Sequence, residues 1–121
     1  MKKILVVDDE IDVRENFREY LREQGYLAIT AENGSEAIDI IDREKPDLLI
    51  LDIKMPGNSG LDVLTSLHNN DKKIPTIIVT AYDTHKDDFI VCNYGHVVAY
   101  LLKPANLREI AKRIENVFMN R

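Results

Sequence analysis

Five polar side chains come directly after apolar runs of this 121-residue chain. Asp8 and Asp9 follow the first run, Asp52 follows the third, Thr80 the fourth and Lys103 the fifth. If the runs are parallel strands, their carboxyl ends share one edge of the sheet, where ligands of such sheets bind. Three carboxylates, one hydroxyl and one ammonium group would then converge at that edge.

Neighbouring carboxylates repel one another unless a cation lies between them. Two of them about 5 Å apart repel by roughly 3 kcal/mol at an effective dielectric constant near 20, so either a pKa rises or a cation binds. Oxygen ligands without His or Cys favour a hard cation, and a small site with few protein ligands suits Mg²⁺ better than Ca²⁺. The sequence therefore predicts one Mg²⁺ site formed by Asp8, Asp9 and Asp52.

The competing interpretation is that these acids are only helix N-caps. Asp8 or Asp9 would then cap a helix that starts near Glu10. The joint pattern favours the shared site, because Lys103 and Pro104 close an apolar strand in which a lysine is otherwise out of place.

Five apolar runs alternate with helical patterns along the chain. All but the second run are nearly continuous, which is typical of strands covered on both faces of a parallel sheet. The alternation predicts an α/β protein of (βα)5 type, a doubly wound five-stranded parallel sheet with right-handed crossovers. The predicted strands are Ile4–Val7, Leu27–Ala31, Leu48–Leu51, Thr76–Val79 and Val97–Leu102.

Periodic apolar residues predict the helices, and no linker or low-complexity tract interrupts them, so residues 1–121 are expected to form a single domain. The first helix ends near Gly25, Asn33 and Asn106 cap the second and the fifth, and Leu61 begins the apolar face of the third. The segment 84–94 has consecutive rather than periodic apolar residues.

Composition and charge limit the classes of function. The net charge of −5, from 16 basic and 21 acidic residues, disfavours direct nucleic-acid binding by this domain. No apolar stretch approaches the ~20 residues of a membrane span, and none resembles a signal peptide. The single Cys92 excludes an internal disulfide and suits a reducing cytoplasm, and we expect it to be a small filler of the core.

Four motifs together resemble the receiver domain of two-component response regulators, the CheY-like family. They are ILVVDDE, LLILDIKMPGNSGL, TIIVTAY and YLLKP, and in this order they cover nearly the whole chain. The resemblance implies a flavodoxin-like three-layer fold with strand order 2-1-3-4-5. It also implies a signalling protein that takes part in phosphorelay signal transduction and does not turn over small molecules.

The resemblance also assigns roles to the residues that bind the metal ion and the phosphoryl group. Asp52 is implied to accept the phosphoryl group from a sensor histidine kinase or a phosphotransfer protein. Asp9 is implied to bind Mg²⁺ directly and Asp8 through water, with the main-chain carbonyl of Lys54 as a further ligand. Lys103 is implied to pair with the phosphoryl oxygens.

Other positions of the family's pattern concern switching. Thr80 corresponds to the switch hydroxyl and Tyr100 to the switch aromatic residue, and the peptide bond between Lys103 and Pro104 is expected to be cis. Phosphorylation would bias the surface of helix 4, strand 5 and helix 5 toward a downstream partner, an output domain or a homodimer.

The residues two places after Asp52 and Thr80 influence the lifetime of the phosphorylated state in the family. Here they are Lys54 and Tyr82. We hypothesise that this long cation and this bulky ring hinder the attacking water and prolong phosphorylation, the alternative being that both point into solvent.

Three departures from the family's pattern concern the output surface. The stretch 89–96 is bulky where small residues are usual, one extra residue lies between Gly95 and Lys103, and Ala105 stands where Phe is common. These features predict that the fourth helix is shorter, shifted or frayed.

Three rival functions remain open. A flavodoxin-like cofactor domain shares the architecture, but the acids Asp8 and Asp9 would repel a cofactor phosphate. A Mg²⁺-dependent aspartyl-phosphate phosphatase needs an acid two residues after its nucleophile, where this chain has Lys54. A receiver-like docking module that acts without phosphorylation is the third.

Overall fold

The computed structural model describes residues 1–55, 60–81 and 88–119. Strands and helices alternate along the chain, as the apolar pattern predicts. The elements are β1 (Lys3–Val7), α1 (Ile11–Glu23), β2 (Leu27–Ala31), α2 (Gly34–Glu44), β3 (Leu48–Leu51), α3 (Gly60–Asn69), β4 (Pro75–Thr80), α4 (Phe89–Asn93), β5 (His96–Leu102) and α5 (Leu107–Met119). None of the helices among the described residues is long and apolar enough to cross a membrane.

The five strands form one parallel sheet in the order β2-β1-β3-β4-β5. The predicted fold class and strand order are therefore confirmed. Strands β1 and β3 lie side by side at the centre, and their last residues, Val7 and Leu51, are paired across the ladder. The chain segments that follow them consequently leave the sheet next to each other.

Two apolar clusters cover the two faces of the sheet. One packs α2, α3 and α4 against alternate residues of the strands, including Leu5, Leu49 and Ile78. The other packs α1 and α5 against the intervening residues, including Ile4 and Ile50. The central strands are thus covered on both sides, which explains their nearly continuous apolar sequence.

The β4–β5 pair contains an irregularity. Thr76 pairs with Val97, but the next residue, Ile77, pairs with Ala99, so Val98 is left without a partner in the ladder. A strand with one extra residue bulges and twists at that point. This bulge accommodates one additional residue in the segment between Gly95 and Lys103.

The helix caps are mostly those that the sequence predicts. The Asn33 side chain accepts a hydrogen bond from the Glu36 amide at 2.8 Å, and the Asn106 side chain accepts one from the Glu109 amide at 3.2 Å. The N-cap of α1 is Glu10, without a side-chain capping bond, so the interpretation of Asp8 or Asp9 as the cap is wrong.

Helix α4 is short and exposes much of its surface. It spans five residues, and its N-cap Asp88 accepts a hydrogen bond from the Ile90 amide. The expectation of a buried Cys92 is wrong, because this residue is exposed. The run Phe89–Cys92 is consecutive, and a helix turns 3.6 residues per turn, so the whole run could not face the core; Val91 is the buried member.

Candidate functional site

The three acids predicted to form a shared site lie together at the carboxyl edge of the sheet. Asp8, Asp9 and Asp52 each offer a carboxylate oxygen, and these atoms lie within 4.8 Å of one another. Asp8 and Asp52 are buried, with 3% and 5% of their surfaces exposed, whereas Asp9 is exposed. Because β1 and β3 are neighbours in register, the two buried carboxylates are adjacent and Asp9 lies at their solvent side.

Main-chain amides hold one oxygen of each buried carboxylate. Oδ1 of Asp8 accepts a hydrogen bond from the Glu10 amide at 2.9 Å, and Oδ1 of Asp52 accepts one from the Lys54 amide at 3.2 Å. On the first turn of α1, Arg14 donates from Nη1 to the carbonyl oxygen of Asp8 at 2.8 Å. Nothing in the motifs singled out Arg14, since its role follows from where helix α1 begins.

Lys103 joins the two buried carboxylates through their other oxygens. Its Nζ lies 2.9 Å from Oδ2 of Asp8 and 3.1 Å from Oδ2 of Asp52. The lysine is held in place by its own amide, which donates to the carbonyl oxygen of Thr80 at 2.8 Å. The peptide bond between Lys103 and Pro104 is cis.

The electrostatics of the site follow from burial and from these contacts. Burial raises the pKa of Asp52 above its ordinary value, and Asp8 adds to the increase, although Lys103 and a side-chain hydrogen bond with Thr80 oppose it. Burial lowers the pKa of Lys103, but Asp8 and Asp52 outweigh it, and the net change is an increase. The ammonium form of Lys103 is therefore stabilised beside carboxylates that repel each other.

One glycine lets α3 approach the main chain beside Asp52. A Cβ atom on Gly60 would lie 2.4 Å from the Asp52 carbonyl oxygen and 2.7 Å from the Ile53 Cα. The Gly60 amide also donates to the Ile53 carbonyl oxygen at 2.8 Å. The sequence motifs did not single out Gly60, although a glycine at the start of a helix that follows a functional loop is a signal of such close contact.

The remaining predicted site residues occupy different surroundings. Thr80 is fully buried at the end of β4, whereas Tyr100 is partly buried and packs against the cluster on the α2–α4 face. Lys54 is exposed and, with Asp9 and Asp52, lines an open cleft of about 420 Å³. Tyr82 lies outside the described residues, and so its predicted effect on phosphorylation lifetime stays a prediction.

The motifs, the fold and this cluster of carboxylates together match a known family. The model of the response regulator receiver domain matches residues 4–115 of the chain. The chain belongs to this family. It is thus a receiver domain of the kind found in two-component systems, and such domains are signalling modules rather than enzymes for small molecules in general.

Two curated relatives illustrate the range of proteins in which this receiver sequence occurs. The chain is 42% identical over 81 residues to sporulation initiation phosphotransferase F of Bacillus subtilis, covering 67% of this chain and 65% of the relative. It is 35% identical over 116 residues to the B. subtilis alkaline phosphatase synthesis transcriptional regulatory protein PhoP, covering 96% of this chain and 48% of the relative. The chain thus spans from about half to two thirds of the length of these relatives.

Solved structures agree with the observed fold. The response regulator TrrA of Thermotoga maritima, in a complex with Mg²⁺ and BeF, has a TM-score of 0.86 and 40% identity, covering 96% of this chain and 98% of TrrA. A CheY-like receiver domain protein of Methanospirillum hungatei has a TM-score of 0.91 and 28% identity, covering 99% of this chain and 95% of that protein. Another structure contains TrrA with the histidine kinase ThkA, at a TM-score of 0.83 and 40% identity, covering 96% of this chain and 97% of TrrA.

Proposed function

We propose that Asp52 of this receiver domain accepts a phosphoryl group from the phosphohistidine of a sensor kinase or a phosphotransfer protein. The observation that carries the proposal is the position of Asp52, which is buried beside Lys103 and Asp8 and yet lines an open cleft. A carboxylate in that position is desolvated, oriented by the Lys54 amide and accessible from one side. These are the properties that a nucleophile for phosphoryl transfer requires.

The residues around Asp52 fit a magnesium ion. Three carboxylates and one ammonium group leave two negative charges at the site, and every candidate ligand atom is an oxygen. That donor set favours a small divalent hard cation. Asp8, Asp9 and Asp52 would hold Mg²⁺, with the main-chain carbonyl of Lys54 as a further ligand, and the bound ion would neutralise charge on the phosphoryl oxygens.

The transfer step needs positioning more than covalent help from the protein. A carboxylate oxygen of Asp52 forms a bond to phosphorus while the phosphorus–nitrogen bond of the donor breaks, and the donor imidazole keeps the electron pair. Lys103 lies within hydrogen-bond distance of Asp52, so its ammonium group is already placed to stabilise the negative oxygens of the transferred group.

The same charges provide a switch. A phosphoryl group adds roughly −1.5 to −2 charge at Asp52. Its oxygens would draw the Thr80 hydroxyl away from its present hydrogen bond with the Asp52 side chain. Tyr100, on the neighbouring strand β5, would fill the space that opens. The surface of α4, β5 and α5 would change with it and control a downstream partner, an output domain or a homodimer.

The nature of the phosphodonor is supported by the relatives. TrrA, which shares 40% of aligned residues with this chain, is found with a histidine kinase. We therefore expect a kinase or phosphotransfer partner here, one that covers the cleft above Asp52 and presents its phosphohistidine in line with the carboxylate.

Treatment with a small acyl phosphate or phosphoramidate tests the proposal. In the presence of Mg²⁺ the intact mass should rise by one phosphoryl group. In the presence of EDTA instead of Mg²⁺ the mass should not rise above that of the untreated protein. Asp52→Asn should abolish the increase, and Lys103→Gln should slow it by about 100-fold, the usual effect of removing one donor to a developing negative charge. Asp39→Asn, which removes an exposed carboxylate on α2, is the matched control and should leave labelling unchanged.

The outcomes separate the competing functions. Unlabelled protein, or labelling that persists in Asp52→Asn, would favour a docking module that acts without phosphorylation. Multiple turnovers of a small phosphate ester would instead favour a phosphatase. A Lys54→Ala variant whose phosphorylated form decays at the wild-type rate would end the idea that this side chain hinders the attacking water.

A further inference from the structure

We propose that a second cleft, on the β5–α5 side of the fold, binds a small phosphate monoester. The cleft has a volume of about 380 Å³, within the range of sites for small molecules. Its lining residues are Lys73, Pro75, His96, Val98, Arg113, Asn116 and Val117. This inference is independent of the phosphorylation of Asp52.

The cleft lies at the opposite end of the sheet from the carboxylate cluster. Pro75 and His96 are the first residues of β4 and β5, whereas Thr80 and Lys103 are at the carboxyl ends of these strands. At about 3.3 Å per residue, His96 and Lys103 are roughly 20 Å apart along the strand. A ligand in the cleft would therefore contact none of the residues that surround Asp52.

The lining is basic in a protein whose net charge is −5. Lys73, His96 and Arg113 supply cationic or nitrogen donors, Asn116 supplies an amide, and no acidic residue is among the lining residues. Within the part of the chain that the structure describes, the side chains of Lys73, His96 and Asn116 have no hydrogen bond or ion pair with another residue. Donor groups without internal partners therefore line one concave surface.

Arg113 has one neighbour of opposite charge, and the contact is weak. Its Nη2 lies 3.5 Å from Oε2 of Glu109, and both side chains are about half exposed, at 47% and 50%. Exposed pairs of this kind contribute little, and a guanidinium has five N–H donors. Arg113 can therefore bind an anion without losing a strong internal contact.

The bulged residue of β5 is part of the cleft. Val98 is the residue that the register shift leaves without a partner, and it also lines the cleft. With Pro75 and Val117 it forms an apolar part beside the cationic groups. Bulges commonly redirect a side chain next to a functional surface.

These features define the chemistry of the ligand. The fixed charges of Lys73 and Arg113 match a dianionic phosphate, and its three terminal oxygens can accept hydrogen bonds from several donors at once. A carboxylate, with one charge and two oxygens, would satisfy fewer of them. The apolar part of the cleft favours a phosphate ester with an apolar or aromatic substituent over inorganic phosphate.

Amide chemical shifts of the ¹⁵N-labelled chain, titrated with phenyl phosphate in EDTA, test the proposal. Without metal the carboxylate cluster repels phosphate, so shifts should concentrate and saturate at Val98, Arg113 and Asn116. Inorganic phosphate should bind at least several-fold more weakly, and phenol should give no saturable shift. Benzoate, which carries a carboxylate in place of the phosphate, should bind more weakly than phenyl phosphate.

Matched variants separate a built site from general attraction to positive charge. Lys73→Gln combined with Arg113→Gln should weaken phenyl phosphate binding at least ten-fold. Arg108→Gln combined with Lys112→Gln removes the same charge from exposed positions of α5 outside the cleft and should leave the affinity unchanged. Equal weakening by both pairs, or shifts that never saturate, would mean an adventitious ion only and would overturn the proposal.

Asn116→Glu provides a second variant that leaves every cation in place. It adds a carboxylate to the cleft at an exposed position of α5, where folding should be unaffected. Binding should be lost while the rest of the amide spectrum is unchanged. Retained affinity in this variant would contradict the proposed location.

Discussion

The central strands and the edge strand β5 differ in how firmly they are packed. Every residue of β3 and all but the first residue of β1 are buried, whereas none of the seven residues of β5 is fully buried. The helix that leads into β5 is also short: α4 has five residues, whereas α1, which follows β1, has 13. Regions with fewer buried apolar contacts open more readily.

The candidate functional site contains residues from both the firmly packed central strands and the less buried β5 side. Asp8 and Asp52 extend from the rigid central strands, whereas Tyr100 lies in β5 and Lys103 follows it. A change of charge at Asp52 should therefore displace the β5 side, because the central side has little freedom to respond. If Asp52 is phosphorylated as proposed, this difference in packing would give the switch its direction, and each of the following variants tests one part of the difference.

The largest expected effect concerns how much the packing of β3 and of β5 contributes to the stability of the protein. Leu49→Ala empties a fully buried position in β3 and should lower the free energy of unfolding by about 2–5 kcal/mol. Leu101→Ala, at a partly exposed position of β5, should lower it by about 1 kcal/mol, since less apolar area is lost. Urea unfolding of both variants measures the contrast, and equal losses would mean that β5 is packed as firmly as β3.

A smaller effect is expected where α3 touches the loop after Asp52. The added methyl group of Gly60→Ala would meet main-chain atoms of Asp52 and Ile53, which cannot move aside as a flexible side chain would. We expect a loss of about 1–3 kcal/mol in urea unfolding and slower labelling by a small phosphodonor. Asn69→Ala, at an exposed position near the end of the same helix, should change neither.

A labelling rate that is unchanged in a destabilised Gly60→Ala variant would separate the two roles of this glycine. The contact would then support the fold without positioning Asp52. A rate that falls more than the folded fraction explains would instead make Gly60 a positioning residue for the nucleophile.

Asp52→Asn should stabilise the metal-free protein while it abolishes phosphorylation. The pKa of Asp52 is raised in the folded state above its ordinary value of 3.8, so the fold favours the protonated carboxyl group. The stabilisation that the protonated carboxyl group provides is complete at pH values below the pKa of the unfolded state. It is lost as the pH rises through the pKa of the folded state. At neutral pH in EDTA, the variant should therefore be more stable than the wild type by about 1 kcal/mol.

The pH dependence of this difference is its sharpest check. The advantage of Asp52→Asn in chemical unfolding should shrink as the pH falls toward the ordinary pKa of the carboxyl group, because the wild-type residue then becomes neutral as well. Mg²⁺ should stabilise the wild type more than the Asp52→Asn variant. A variant that is less stable than the wild type at neutral pH would mean that Lys103 compensates the buried charge fully.

The sequence was most informative where a local pattern of residues decides the structure. Strands β2 and β3 have the bounds that their apolar runs predict, and Asn33 and Asn106 are recognisable as caps because their side chains satisfy local amides. The convergence of Asp8, Asp9 and Asp52 follows from parallel topology alone, since residues after neighbouring strands must meet at one edge.

The sequence was less informative where one tertiary contact decides the outcome. The hydrogen bond from Arg14 to the Asp8 carbonyl depends on where α1 begins, and the close approach of Gly60 depends on the entry of α3. The exposure of Cys92 depends on the direction of a five-residue helix. None of these has a periodic signature, and so none could be derived from spacing.

The smallest effect is expected at the contact that holds α4 to α3. His68 stacks on Tyr94 with ring centroids 3.9 Å apart, and Phe89 meets Tyr94 edge-on at 5.8 Å. A helix of five residues has too few internal hydrogen bonds to persist alone, so contacts with its neighbours must hold it. His68→Ala should lower the free energy of unfolding by about 0.5 kcal/mol but should accelerate hydrogen exchange at the amides of Cys92 and Tyr94 several-fold.

The exchange measurement distinguishes two ways of holding α4. If exchange at Cys92 and Tyr94 is as slow in His68→Ala as in Asn69→Ala, the helix is held from beneath by the buried Val91 and not by the aromatic contact. If it accelerates in His68→Ala alone, the surface stack sets how often α4 opens. In that case α4 is poised to respond to a change at β5, because so small an interaction keeps it closed.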